Sequence, residues 1–214
     1  MGASRWGEKA PRNYRFLDRI AEWFDDCRVI HMIRDPRDVA VSMLTGPMAA
    51  RHDHGDAFEV GLRWRDAIRK GIAARTQLGP RRYMELRYED LTADPEGRIK
   101  QVCAFIDEPF EQSMLDYHKS ATEKMPSSAM DIHQRLKKKV DRKRVGRWRT
   151  EIPKRDVQIV EGLCAREMAE HGYEPSGWAP PTALRLRIAL ESLRPPRLEK
   201  RYKPPGGHRS AEQG

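Results

Sequence analysis

The segment Arg34-Asp35-Pro36-Arg37-Asp38 follows directly on the apolar run 28–33, and a hydroxyl, Ser42, stands eight residues after Arg34. A guanidinium is a planar fork of donors that matches the oxygens of a phosphate or a carboxylate in pairs. Arg34, with the Ser42 hydroxyl on the following helix, therefore has the chemistry of a small anion grip. Asp35 and Asp38 are placed to orient the two arginines, and Asp38 lies in the first turn of a helix opened by Pro36. The same residues also suit a plainer role, a salt-bridge cluster that ends a strand and caps a helix. The pentapeptide alone leaves both readings open.

The elements around it favour a site at a strand end. Residues 28–33 are short, apolar and β-branched at Val29, Ile30 and Ile33, which predicts a strand buried on both faces. Pro36 ends that strand and opens a helix to about Leu44. A helix over 12–26 directs Phe16, Leu17, Ile20, Trp23 and Phe24 to one face, with Trp23 expected in the core. A long helix over 57–76 does the same with Phe58, Leu62, Trp64, Ala67, Ile68 and Ile72, and Gly79-Pro80 breaks it. Residues 82–88 read as a second strand, and Asp94-Pro95-Glu96 reads as an N-cap, a first-turn proline and a first-turn acid. A further helix runs from about Lys154 to His171. Strands alternating with helices of this length predict an α/β domain, a three-layer parallel sheet with flanking helices, over residues 1–175. Residues 176–214 read as a basic, Pro/Gly-rich C-terminal tail with one short helix near 182–193. In open parallel sheets ligands bind beyond the carboxyl ends of strands, which is where Arg34 falls.

Charge narrows the ligand class. The 214 residues carry 41 Lys and Arg against 32 Asp and Glu, a net charge of +9. That excess favours nucleic acid, an acidic membrane surface, or a phosphorylated or sulfated small molecule. Three well-separated cysteines, Cys27, Cys103 and Cys164, argue against a disulfide framework and for a reducing, cytoplasmic setting. No apolar run approaches the length of a membrane span. His52, Asp53, His54 and Asp56 are read as a polar loop rather than a metal site, and His31 as a core histidine.

Four segments together resemble sulfotransferases that use 3′-phosphoadenosine 5′-phosphosulfate, proteins of P-loop-NTPase-like α/β fold. RVIHMIRDPRDVAVS (28–42) looks like the family's 3′-phosphate segment, which implies that Arg34 and Ser42 grip the 3′-phosphate. WGEKAPRNY (6–14) is similar to its E-K-T-P segment, with Ala10 in place of Thr. RYMELRYEDLTADPEGRIKQVCAFI (82–106) resembles its Y-E-D-L strand end, D-P turn and helix, which implies that Tyr88 lies along the adenine. VGRWR (145–149) resembles the late basic G-x-W loop, which implies Arg142, Lys143 and Gly146 near the nucleotide. In glycan-directed branches of the family the Glu of E-K-T-P is the general base and the Lys contacts the transferring group, so the positional matches are Glu8 and Lys9. The implied reaction moves a sulfuryl group to a hydroxyl or amine on a small-molecule, glycan or peptide acceptor, with no metal.

One departure accompanies these matches. The resemblance implies a strand and a phosphosulfate-binding loop ahead of Glu8, yet there is no Gly-Lys pair anywhere in the sequence. The expectation is an N-terminally truncated domain, with its activity as this chain left open. Each motif also has a bland counterpart. Glu8 and Lys9 can be a solvated terminal pair, Trp148 can be packing rather than an adenine shelf, and Ser127 and Ser128 can be ordinary loop residues. The run 135–149, nine cations and one acid, is either a lid over the nucleotide or a solvated face. The rival to an enzyme is a basic nucleic-acid-binding α/β module, whose affinity would fall steeply with salt.

Overall fold

A computed structural model describes residues 5–46, 55–116 and 142–196. A 3₁₀ turn, Asn13–Phe16, leads into α1, Leu17–Trp23, followed by β1, Val29–Ile33, and α2, Pro36–Leu44. After α3, Ala57–Leu78, come β2, Tyr83–Arg87, α4, Tyr88–Ala93, and α5, Pro95–Phe105. A 3₁₀ turn at Arg142–Arg144 precedes α6, Trp148–Glu151, α7, Lys154–Glu170, and α8, Thr182–Glu191. His52, Asp53, His54, Ser127, Ser128 and residues 135–141 lie outside the described residues.

The strands pair in parallel, with Val29 opposite Tyr83, His31 opposite Glu85 and Ile33 opposite Arg87. A parallel pair needs a crossover, and α3 supplies it. Side chains alternate along β1, so Val29, His31 and Ile33 share the face that meets α3. Gly71 of α3 makes this approach possible: a Cβ there would lie 2.5 Å from His31 Nδ1 and 2.6 Å from the Tyr83 hydroxyl. His31 and Tyr83 satisfy each other at 2.6 Å, as befits a core histidine.

The other face corrects the expectation of a strand buried on both sides, because Ile30 and Met32 remain exposed. A second covered face requires a second layer, and the described elements leave these two side chains open. The α1 pattern also needs correction. Leu17 and Ala21 are its buried residues, whereas Phe16 and Trp23 are 50% and 65% exposed, so Trp23 is not a core residue. The 3₁₀ start rotates the helix, and small Ala21 packs close to Ala74 and Leu78 of α3.

The main core is built from α2, α3 and α7. Ala40, Val41, Phe58, Val60, Leu62, Val157, Val160 and Leu163 are nearly inaccessible. Burying each of the larger of these side chains stabilises the fold by about 1.5–3 kcal/mol before entropy is charged against it. Local chemistry fixes the helix starts: Asp35, Asp56 and Asp94 each accept from a backbone amide of the first turn. Helix α8 buries Ile188 against Gly162 of α7, while Leu186, Leu190 and Leu193 point outward. No helix among the described residues is long and apolar enough to cross a membrane.

Candidate functional site

The site lies at the carboxyl ends of β1 and β2, where the two strand ends and a distant basic strap converge. Both arginines of the pentapeptide leave β1 here, and they are treated very differently. Arg37 is 3% exposed and fully engaged. Its Nε and Nη2 donate to Asp35 at 2.9 and 2.7 Å, and its Nη1 donates to Glu161 at 2.6 Å and to the Glu174 carbonyl at 2.9 Å. The guanidinium also stacks on the Trp148 ring at 3.9 Å. Burial alone would lower its pKa, but Asp35 and Glu161 more than offset this and raise it.

Arg34 is the open one. Its guanidinium lies 4.5 Å from the centroid of the Tyr88 ring, its Nη2 donates to the Arg144 carbonyl at 2.5 Å, and Asp38 stands 3.8 Å away. Its Nε is buried, and among the described residues it has no hydrogen-bond partner. A buried guanidinium N–H without an acceptor is costly. Arg87 and Arg98 have an Nε in the same condition, so what sets Arg34 apart is that this donor lies at the end of β1 against the Tyr88 ring.

Glu89, the acid of Y-E-D-L, ties the two strand ends together. It accepts from the Asp35 amide at 3.0 Å and from the Tyr173 hydroxyl at 2.9 Å. Trp64 of α3 adds a bond from its indole N–H to the Arg34 carbonyl at 2.9 Å. The backbone carrying Arg34 is thus fixed from two sides. Asp38, 1% exposed on α2, accepts from the amides of Gly146 at 2.7 Å and Trp148 at 3.1 Å. Burial raises the Asp38 pKa, opposed by those two amides and by Arg34. Gly146 has φ +79°, a left-handed conformation that suits glycine and lets the strap turn at this point.

The structure brings Arg34, Tyr88 and Gly146 together. Arg142 and Lys143 are exposed on the 3₁₀ turn that ends at Arg144, the residue whose carbonyl Arg34 holds. Ser42 is half-buried on α2, and no hydrogen bond joins it to Arg34. Glu8 and Lys9 are exposed, Glu8 accepting from Asn13. Trp148 is buried between the Arg37 and Arg149 guanidiniums and edge-on to Trp178, an arrangement of packing. Sequence reading did not find Glu89, Glu161 or the partners of Asp38. An acid in the first turn of the helix after a strand-end arginine is a visible signal for Asp38, but its partners lie 108 and 110 residues away.

Comparison with known proteins assigns this arrangement to a class. The model of the sulfotransferase family matches residues 1–112, more than half of the chain, and the chain belongs to that family. A putative protein-tyrosine sulfotransferase of Caenorhabditis briggsae is 29% identical over 117 residues, which cover 54% of this chain and 41% of that protein. Human carbohydrate sulfotransferase 3 is 27% identical over 183 residues, covering 76% of this chain and 37% of that protein. The chain thus spans less than half the length of these relatives. The fold agrees: the sulfotransferase domain of the curacin biosynthetic pathway superposes with TM-score 0.58 at 21% identity, over 78% of this chain and 62% of that domain. The architecture is the P-loop-like α/β fold of sulfotransferase domains.

Proposed function

We propose that this chain binds the nucleotide end of 3′-phosphoadenosine 5′-phosphosulfate and serves sulfuryl transfer to a hydroxyl or amine acceptor. The unpartnered Nε of Arg34 carries this reading, because it is a buried donor at a strand end, beside an aromatic ring and a cationic strap. Arg34 takes the 3′-phosphate, with Ser42 contributing a hydroxyl. Tyr88 offers its ring to the adenine, and the backbone of Gly146 with the side chains of Arg142 and Lys143 closes over the phosphate. Glu8 accepts the proton of the acceptor and Lys9 neutralises charge on the transferring oxygens. When bound, the donor supplies an activated sulfuryl group whose bond to the phosphate oxygen breaks as the acceptor attacks sulfur in line. The protein's own contribution is placement and charge.

Calorimetric titration with adenosine 3′,5′-bisphosphate and with AMP tests the reading. Binding of the bisphosphate at least tenfold tighter than AMP is expected. Equal affinity for the two, or a salt-sensitive preference for nucleic acid over both, would replace this reading with the nucleic-acid module.

A further inference from the structure

The geometry points to Asp38 as the positioning residue of the anion site: its carboxylate pins the strap 142–148 so that the strap's cations stand beside Arg34. This rests on the nucleotide-site reading, and it concerns a residue that touches no ligand in that reading. Asp38 is buried on α2, and its two oxygens are divided between two backbone amides of the strap, Gly146 at 2.7 Å and Trp148 at 3.1 Å. Two amides separated by one residue and converging on a single carboxylate form a small backbone nest. On the same side, Arg34 Nη2 donates to the Arg144 carbonyl at 2.5 Å and lies 3.8 Å from Asp38. Arg34 and Asp38 therefore hold the strap at three consecutive alternate residues, 144, 146 and 148. The two are one helical turn apart on one short segment.

A purely structural role for Asp38 does not account for its setting. Burial disfavours its charged form, and of the cations near it, Arg34 stands 3.8 Å away, beyond hydrogen-bond contact, and Arg147 acts on it only through space. Trp148 is already anchored by packing against Arg37 and Trp178. What Asp38 adds is the placement of Gly146, and with it the exposed Arg142 and Lys143 just upstream. Without the pin the strap remains tethered at Trp148 and by the single bond from Arg34 to the Arg144 carbonyl, while the turn at Gly146 between them is no longer fixed.

Amide hydrogen exchange of Asp38→Asn tests the pin directly. Asparagine keeps the shape and one acceptor oxygen but turns an N–H donor toward the strap. Protection at Gly146 and Trp148 is expected to fall at least tenfold, with the amides of α3 and α7 unchanged. Retained protection at both would overturn the proposal. A double-mutant cycle then separates positioning from general stability. Affinity for adenosine 3′,5′-bisphosphate should fall about tenfold in Asp38→Asn, and adding Lys143→Ala should then cost little more, because Lys143 is no longer held in place. Full additivity of the two losses would contradict a role through the strap. Should the wild-type chain bind no bisphosphate while exchange shows the pin intact, the nucleotide reading falls and the positioning role falls with it, leaving only a structural latch.

Discussion

Arg34 and Arg37 sit three residues apart on one turn, with the same side chain and opposite fates. Arg37 spends its donors on Asp35, Glu161 and a carbonyl, and its flat face on Trp148. Arg34 keeps one buried N–H without an acceptor and rests its plane on Tyr88. The first is how an arginine holds a fold together; the second is how a fold holds an arginine ready. The difference is set by what faces each side chain, since α7 brings Glu161 into direct contact with Arg37, whereas the carboxylate nearest Arg34 among the described residues, Asp38, stands 3.8 Å away with its oxygens on the strap amides.

Breaking the satisfied member should have the largest effect. Arg37→Ala leaves the buried Asp35 and the partly buried Glu161 without their shared cation, a change worth about 3–5 kcal/mol. Against a total stability of about 5–15 kcal/mol, denaturant unfolding should move to a much lower midpoint. An Arg37→Ala protein as stable as wild type would erase the contrast.

The open member should show the reverse pattern. Arg34→Ala is expected to cost about 1–2 kcal/mol of stability, less than Arg37→Ala, since it removes one bond to the Arg144 carbonyl and the contact with Tyr88. Bisphosphate affinity should drop about a hundredfold or more, for two charge-assisted bonds of about 1.5–3 kcal/mol each. Titration of a variant shown to be folded by circular dichroism checks both halves. Ser42→Ala sharpens the picture at smaller scale: a single hydroxyl bond to an anionic oxygen, about 1.5 kcal/mol at the weak end for a charged acceptor, predicts roughly a tenfold loss of affinity and no change in unfolding.

The smallest effect belongs to the far side of β2, where His171 Nε2 faces Glu85 at 3.7 Å. Glu85 raises the His171 pKa above its ordinary value, while burial lowers that of His31. The raised histidine lends stability that is fully present below about pH 6.5 and is lost as pH rises through its folded pKa. His31 acts oppositely, costing stability as pH falls below about 6.5. Unfolding of His171→Gln compared with wild type should therefore show a difference of under about 1 kcal/mol that shrinks between pH 6.5 and 8. A difference that grows with pH would reverse the assignment.

Much of this contrast was legible in the sequence, and the illegible part has a common cause. Pro36 after an apolar β-branched run fixes both the end of β1 and the start of α2, and Asp94-Pro95 fixes α5, because these signals are local. The same holds for Arg34 at a strand end. Which arginine would be satisfied was not readable, because the deciding partners are Glu161 and Glu174, more than a hundred residues on. Asp38 likewise takes its meaning from Gly146 and Trp148. Trp23 misled for the opposite reason: its helical spacing is right, but a 3₁₀ entry and the small Ala21 turn a different face inward. Tyr88 reads in the sequence as the last residue of the second strand, although it opens α4 and from there presents its ring to Arg34.

The most direct measurement is the nitrogen–proton NMR correlation of the Arg34 side chain, assigned with an Arg34→Lys variant, during titration with adenosine 3′,5′-bisphosphate. The account predicts that the Arg34 Nε–H signal moves downfield and saturates at the calorimetric stoichiometry, while the Arg37 Nε–H signal stays in place. Binding that leaves Arg34 unmoved, or that shifts Arg37 instead, would contradict it.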